Sequence, residues 1–332
     1  MLQRLTIATL AAAALLGGCA AAPLGPAASL AEAGIKATGS FSQEVTGVAS
    51  QLGSVEVGEA FTATWEQCSN SALTCKEIVE PAELASDRRA LARVVALRAK
   101  ALDALGAAYG ALQTEAAYNQ SADLSGAAGD AIKAADSFAA AAAGLRKGGN
   151  VPAIPAQAAS LADFGFSLLG DQLQRKRILA ASRDIARATL QVRNGMIDES
   201  AAFGRLTRYL VGKRTEVRMT LMKAGLVSRD EVMQQVADQM NVKLVDGFGG
   251  IVSSSPADQM ALQASMRALA QQEVLATQER YQAGIAALGA LLKSHAELEK
   301  GKPLSIGSID RFLTQLDATL QPAAPAPANP TP

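Results

Sequence analysis

Apolar residues recur at steps of three and four along most of this 332-residue chain, and that spacing leaves room for little except packed helices. Phe41, Val45, Val48, Leu52 and Val55 form one such seam. Leu91, Val95, Leu102, Leu105, Tyr109 and Leu112 form a second, interrupted at Arg98. A third, Leu124, Ala128, Ala131, Ala135, Phe138, Ala142 and Leu145, is built largely from small side chains, so a neighbouring helix can approach closely. Ile178, Ser182, Ile185, Thr189, Val192 and Met196 make a fourth, and Tyr281, Ile285, Leu288, Leu292 and His295 a fifth. Such seams demand partner helices and knobs-into-holes contacts. Composition agrees, with 49% hydrophobic residues but only 4% aromatic, a balance that fits helices better than a large β-sandwich. The expected fold is all-α, an elongated antiparallel helical bundle with coiled-coil-like heptad seams.

Prolines, glycines and capping residues divide the pattern. Pro81 opens a helix, residues 146–152 (RKGGNVP) end one, Ser228 and Glu231 form a capping box, and Ser255-Pro256 reads as an N-cap with proline at the first helical position. Helices are expected near 29–65, 82–119, 121–146, 157–194, 197–225, 229–241, 256–299 and 308–320. Asn194-Gly195 marks a break, or a kink within one long helix over 157–225. The bundle body is 29–320, with two sub-bundles able to meet near 147–156. Residues 19–28 are small and proline-containing and read as a flexible tether, and 321–332 (QPAAPAPANPTP) as an extended, disordered tail.

The first eighteen residues stand apart. One arginine is followed by about a dozen apolar residues, Leu5 to Leu16, too few to span a bilayer that needs ~20. Leu16-Gly17-Gly18-Cys19 follows, and it resembles the lipobox of bacterial lipoproteins, in which a Leu and two small residues precede the cysteine at the cleavage site. The resemblance implies that residues 1–18 are a signal peptide, that the Cys19 thiol receives diacylglycerol, and that its freed amine takes a further, palmitate-type chain. Two or three acyl chains, at ~0.8 kcal/mol per buried CH2, hold a protein on a membrane permanently. Ala20 rather than Asp after the cysteine implies, by the same resemblance, an outer-membrane lipoprotein facing the periplasm.

That compartment permits disulfides. With Cys19 acylated, Cys68 and Cys75 remain. A redox pair is more often Cys-x-x-Cys, and one histidine is too few for a His-based metal site. The pair reads as a structural disulfide that staples a helix–helix connection, worth ~2.5 kcal/mol in the chain-entropy view.

Charge cancels over the whole chain, 31 basic against 31 acidic residues, but not locally. Residues 29–87 carry a net −7 and residues 171–223 a net +7. Either the two segments pack together, or Arg175, Lys176, Arg177, Lys213 and Arg214 form a surface for an anionic partner such as lipid headgroups or an acidic protein. Nucleic acid is disfavoured by the compartment and by the lack of interleaved aromatics.

No motif for chemistry stands out. Phosphate-loop, nucleophile-elbow and zinc-protease patterns are missing from the sequence. His295 sits in an apolar seam and reads as a packing or capping residue. The glycine- and serine-rich stretch 246–255 (DGFGGIVSSS) precedes a helix start and reads as an interhelical loop. No catalytic residue, cofactor or metal is expected. The chain is expected to be a non-enzymatic scaffold or adaptor in the cell envelope, anchored through Cys19 and contacting an envelope protein. The alternatives are a lipid or hydrophobic-ligand binder, or a membrane-active helical protein.

Overall fold

The computed structural model describes residues 24–70, 75–76, 82–117, 123–146, 170–228, 230–240, 242–243 and 256–304, with 307, 309, 311, 313 and 314. Among them every regular element is helical: α1 (Leu24–Asn70), α2 (Ala82–Ala116), α3 (Leu124–Arg146), α4 (Gly170–Lys223), α5 (Asp230–Gln239) and α6 (Pro256–Glu299). Residues 1–19, with the expected signal peptide and Cys19, the 147–156 and 246–255 segments and residues 321–332 lie outside the described residues, and the 308–320 segment is described only at isolated positions.

Local chemistry sets the boundaries. Asp123 caps α3, its Oδ1 accepting from the Gly126 N–H at 2.9 Å, and Ser228 Oγ accepts from the Asp230 N–H at the start of α5. Gly225 (φ 72°) and Gly301 (φ 64°) take the left-handed conformation that ends α4 and α6. α1 begins at Leu24, so part of the expected tether is helical and Ala27 is fully buried. Pro26 does not prevent this, because the first-turn N–H groups of a helix need no intrahelical acceptor.

Of the two expectations for Asn194-Gly195, a break or one long helix, the second holds over the described residues: α4 runs through it unbroken for 54 residues, about 80 Å at 1.5 Å per residue, and 157–169 lie outside the described residues. Gly195 serves close approach instead. A Cβ there would stand 2.7 Å from Phe138 Cε1, so the glycine lets the α3 ring lie against the α4 backbone.

α4 packs on α1, α2, α3 and α6. Its neighbours do not all run the same way. α1 and α2 are antiparallel, since Gly34 meets Tyr109 and Glu59 meets Arg88. α4 and α6 are antiparallel as well, with Arg183 beside Glu299 and Arg214 beside Glu273. α3 and α4 run parallel: Asp136 bonds Gln191, and Phe138 lies on Gly195. All five seams face the core. Phe41, Leu52, Leu105, Tyr109, Ala135, Phe138, Ile185, Met196, Tyr281 and Leu288 are among the buried residues that join into one cluster.

Candidate functional site

Arg98, which interrupts the second seam, turns inward. It is 1% exposed, and its Nη1 lies 2.5 Å from Oε1 of Glu199 on α4. The Tyr281 hydroxyl on α6 lies 2.9 Å from the same carboxylate oxygen and donates to the Met196 carbonyl at 2.7 Å. Phe203 and Tyr281 stack with ring centroids 4.1 Å apart, and the guanidinium sits 4.8 Å and 5.4 Å from their centres. Burial works against the Arg98 charge, but Glu199 and the Tyr281 hydroxyl outweigh it and hold its pKa above the ordinary value. Burial raises the Tyr281 hydroxyl too, and Glu199 adds to that. Next to this network, Glu44 on α1 lies 3.6 Å from Arg280; burial pushes its carboxyl upward, opposed by Arg280 and Arg98. Four long helices, α1, α2, α4 and α6, are thus tied by buried polar contacts that no local motif announces.

The two stacked rings also line a groove of about 640 Å³ between α4 and α6, with Arg205, Arg208, Leu275 and Glu279 around them. Its apolar floor and two arginines suit an amphipathic or anionic small molecule.

His295 occupies a second buried network. Its Nδ1 lies 2.7 Å from Ser182 Oγ and its Nε2 2.9 Å from the Tyr109 hydroxyl, which is 3.2 Å from Thr189 Oγ1. Thr189 spends its only proton on the Ile185 carbonyl. Tyr109 must therefore donate to Thr189, His295 Nε2–H to Tyr109, and Ser182 to Nδ1, so one tautomer satisfies the whole chain. Burial lowers the His295 pKa to about 3, leaving the ring neutral. The expected packing role stands, and this histidine locks register among α2, α4 and α6.

Cys68, in the last turn of α1, and Cys75 have sulfurs at bonding distance, 1.95 Å, as the spacing suggested. The five basic residues separate into two groups. Lys213 pairs with Glu216 and lies 3.6 Å from Glu59, and Arg214 pairs with Glu273, so both have carboxylate partners at the bundle surface. Arg175, Lys176 and Arg177 are exposed at the start of α4 and make no ion pair among the described residues.

The ends of the bundle differ in chemistry. The end holding the last turns of α1 and α4, the first turns of α6, and α5 has exposed Val57, Phe61, Leu226, Met240, Val242 and Met260, with Met260 71% exposed. Six of the eight methionines fall between residues 219 and 266. Beneath them Met222 and Met266 form a small core of their own with Met219, Val227 and Leu262. Periodicity could not flag this end, because exposed apolar residues interrupt no seam; the methionine density alone could have.

Among the described residues no helix is long and apolar enough to cross a membrane, and no group of three His, Cys, Asp or Glu side chains could hold a metal ion. Comparison with protein-family models, curated proteins and solved structures gave no match.

Proposed function

We propose that the protein is a lipid-anchored component of the bacterial cell envelope, held in the outer membrane through Cys19 and acting as a non-enzymatic helical scaffold or adaptor. The observation that carries this reading is the polarity of the bundle. α1 starts five residues after Cys19, whereas most of the exposed large hydrophobics among the described residues, including Val57, Phe61, Leu226, Met240, Val242 and Met260, lie toward the opposite end, with Leu190 and Ile197 nearer the middle of α4. Exposed apolar clusters of this kind mark interaction sites, and methionine adapts its shape to a partner's surface. The anchor then supplies residence, the long helices reach, and the distal apolar end recognition of an apolar face on an envelope protein.

Photo-cross-linking in cells tests this. A cross-linkable residue at Met240 or Met260 is expected to capture one protein at near-equal amount, and the same residue at Lys36, near the anchor, is not. Met240→Asp with Met260→Asp should abolish capture. A monomer with no adduct from the distal positions would sink the adaptor reading. The α4–α6 groove supports a second reading, binding of a small amphipathic ligand; lipid retained through purification, detected by mass spectrometry and lost in Arg205→Glu with Arg208→Glu, would favour it.

A further inference from the structure

The end of the bundle where α1 begins is basic, and the axial levels of its residues can be worked out. Gly34 on α1 lies against Tyr109, whose hydroxyl reaches Thr189 on α4. Leu24, ten residues earlier in a helix parallel to α4, is therefore level with about residue 179 of α4 at 1.5 Å per residue. Among the described residues of α1 and α4, Arg175, Lys176 and Arg177 lie beyond that level, at this end of the bundle. Their buried neighbours Gln174 and Ile178 face the bundle, which turns the three cations outward. Arg183 pairs with Glu299 at the end of α6, so exposed Lys300 and Lys302, just past that helix, belong to the same end. Asp123 is exposed there, and Asp171 lies there by position in the chain. The most exposed large hydrophobics, Val57 and Met260, lie toward the other end, while the less exposed Leu190 and Ile197 sit nearer the middle of α4.

Only five peptide links separate Cys19 from Leu24, a reach of about 17 Å even when fully extended. An acylated Cys19 thus holds this end within reach of the lipid headgroups. We propose that Arg175, Lys176 and Arg177, supported by Lys300 and Lys302, seat the bundle end-on against anionic phospholipid headgroups, so that the apolar end points away from the membrane. The orientation rests on the lipoprotein reading of Cys19; the affinity for anionic headgroups does not. Basic side chains near an anionic surface each add to binding and act within about a Debye length, ~8 Å at physiological salt. That is why the short link matters.

The test uses the full mature chain carrying Cys19→Ser, which has no acyl chains, sedimented with phosphatidylcholine vesicles with or without about one-third phosphatidylglycerol. Binding is expected only with phosphatidylglycerol and should fall steeply between ~50 and ~300 mM salt. Arg175→Gln, Lys176→Gln and Arg177→Gln together should weaken it about 100-fold. Lys223→Gln with Arg267→Gln, at the other end, should change it less than about two-fold by the same screening argument. Equal binding to both vesicle types, or a triple variant that folds by circular dichroism and binds like wild type, overturns the proposal. Acylation of Cys19 is read separately, from the mass of the wild-type N-terminal peptide. Acyl chains present without vesicle binding refute the basic seat alone. Vesicle binding without acyl chains upholds the seat and refutes the anchor.

Discussion

Replacing Glu199 by Ala takes the carboxylate away from Arg98 and leaves the guanidinium where water does not reach, since the two side chains are only 2% and 4% exposed. Breaking a buried pair by removing one partner costs about 3–5 kcal/mol, because the remaining charge goes uncompensated. Phe203 and Tyr281 soften the loss through their ring faces, 4.8 Å and 5.4 Å from the guanidinium carbon, which places the expectation near 3 kcal/mol. For a chain of 332 residues that is a fall in melting temperature of roughly 4–5 °C, followed by helical circular dichroism. Arg98→Met with Glu199→Leu removes both ions at similar volume. The Tyr281 hydroxyl still has the Met196 carbonyl to donate to, and the Arg98 Nε–H, buried without an acceptor, disappears. The double variant should therefore be at least ~2 kcal/mol more stable than Glu199→Ala alone. A Glu199→Ala melt within ~2 °C of wild type, or a double variant no better than that single one, would refute the account of Arg98 as a charge held by its partner.

His295 gives a pH test. Its folded pKa of about 3 lies below the ordinary 6.5, so the unfolded chain binds the extra proton and the stabilisation, complete above 6.5, is lost as pH falls toward 3. Between pH 6.5 and 5 the stability advantage of wild type over His295→Gln should shrink by roughly 1.5–2 kcal/mol in denaturant titrations; an unchanged gap means the ring is not neutral in the fold. Nitrogen NMR of the same histidine should show the Nε2–H tautomer at neutral pH. Gly34→Ala puts a Cβ into the Tyr109 ring and should cost about 3 kcal/mol or prevent folding, whereas Gly53→Ala, with open space around it, should be neutral or slightly stabilising. Cys68→Ala with Cys75→Ala should lower stability by about 2.5 kcal/mol, read against wild type with and without reductant.

The seams were legible because each is a statement about a single helix. Val45, Leu102, Ala131, Ile185 and Leu288 are all buried as their spacing requires. Capping was legible for the same reason: Ser228 and Pro256 act within one turn of the helices they open. What one sequence cannot show is which helix a polar residue in a seam will meet. Arg98 finds Glu199 across 101 positions and His295 finds Tyr109 across 186, and no local spacing encodes either pairing. Gly195 left two readings open, because a glycine that breaks a helix and one that admits a neighbouring ring look alike until Phe138 is in place. Lys213 and Arg214 do lie at the surface, 36% and 44% exposed, but their partners Glu59 and Glu273 come from other helices, so spacing could not show the pairing.

The parallel pairing of α3 with α4 sets an order of assembly. α1, α2 and α3 can fold back on one another as the chain is made, through the short connections 71–81 and 117–123. The Ala131, Ala135 and Phe138 face has no cover until α4 arrives alongside it, and Arg146 is then level with about residue 203, some 50 Å from the start of α4. The 23 residues between α3 and α4 must cover that distance before Glu199 can reach Arg98 or Ser182 can meet His295. A nascent chain stopped short of residue 200 therefore holds an arginine destined for the core with no counter-ion and a bare alanine face with no helix on it. Such a fragment is a client for chaperones and proteases rather than half of a working bundle, and the protein's yield in the cell will depend on how quickly its second half follows the first.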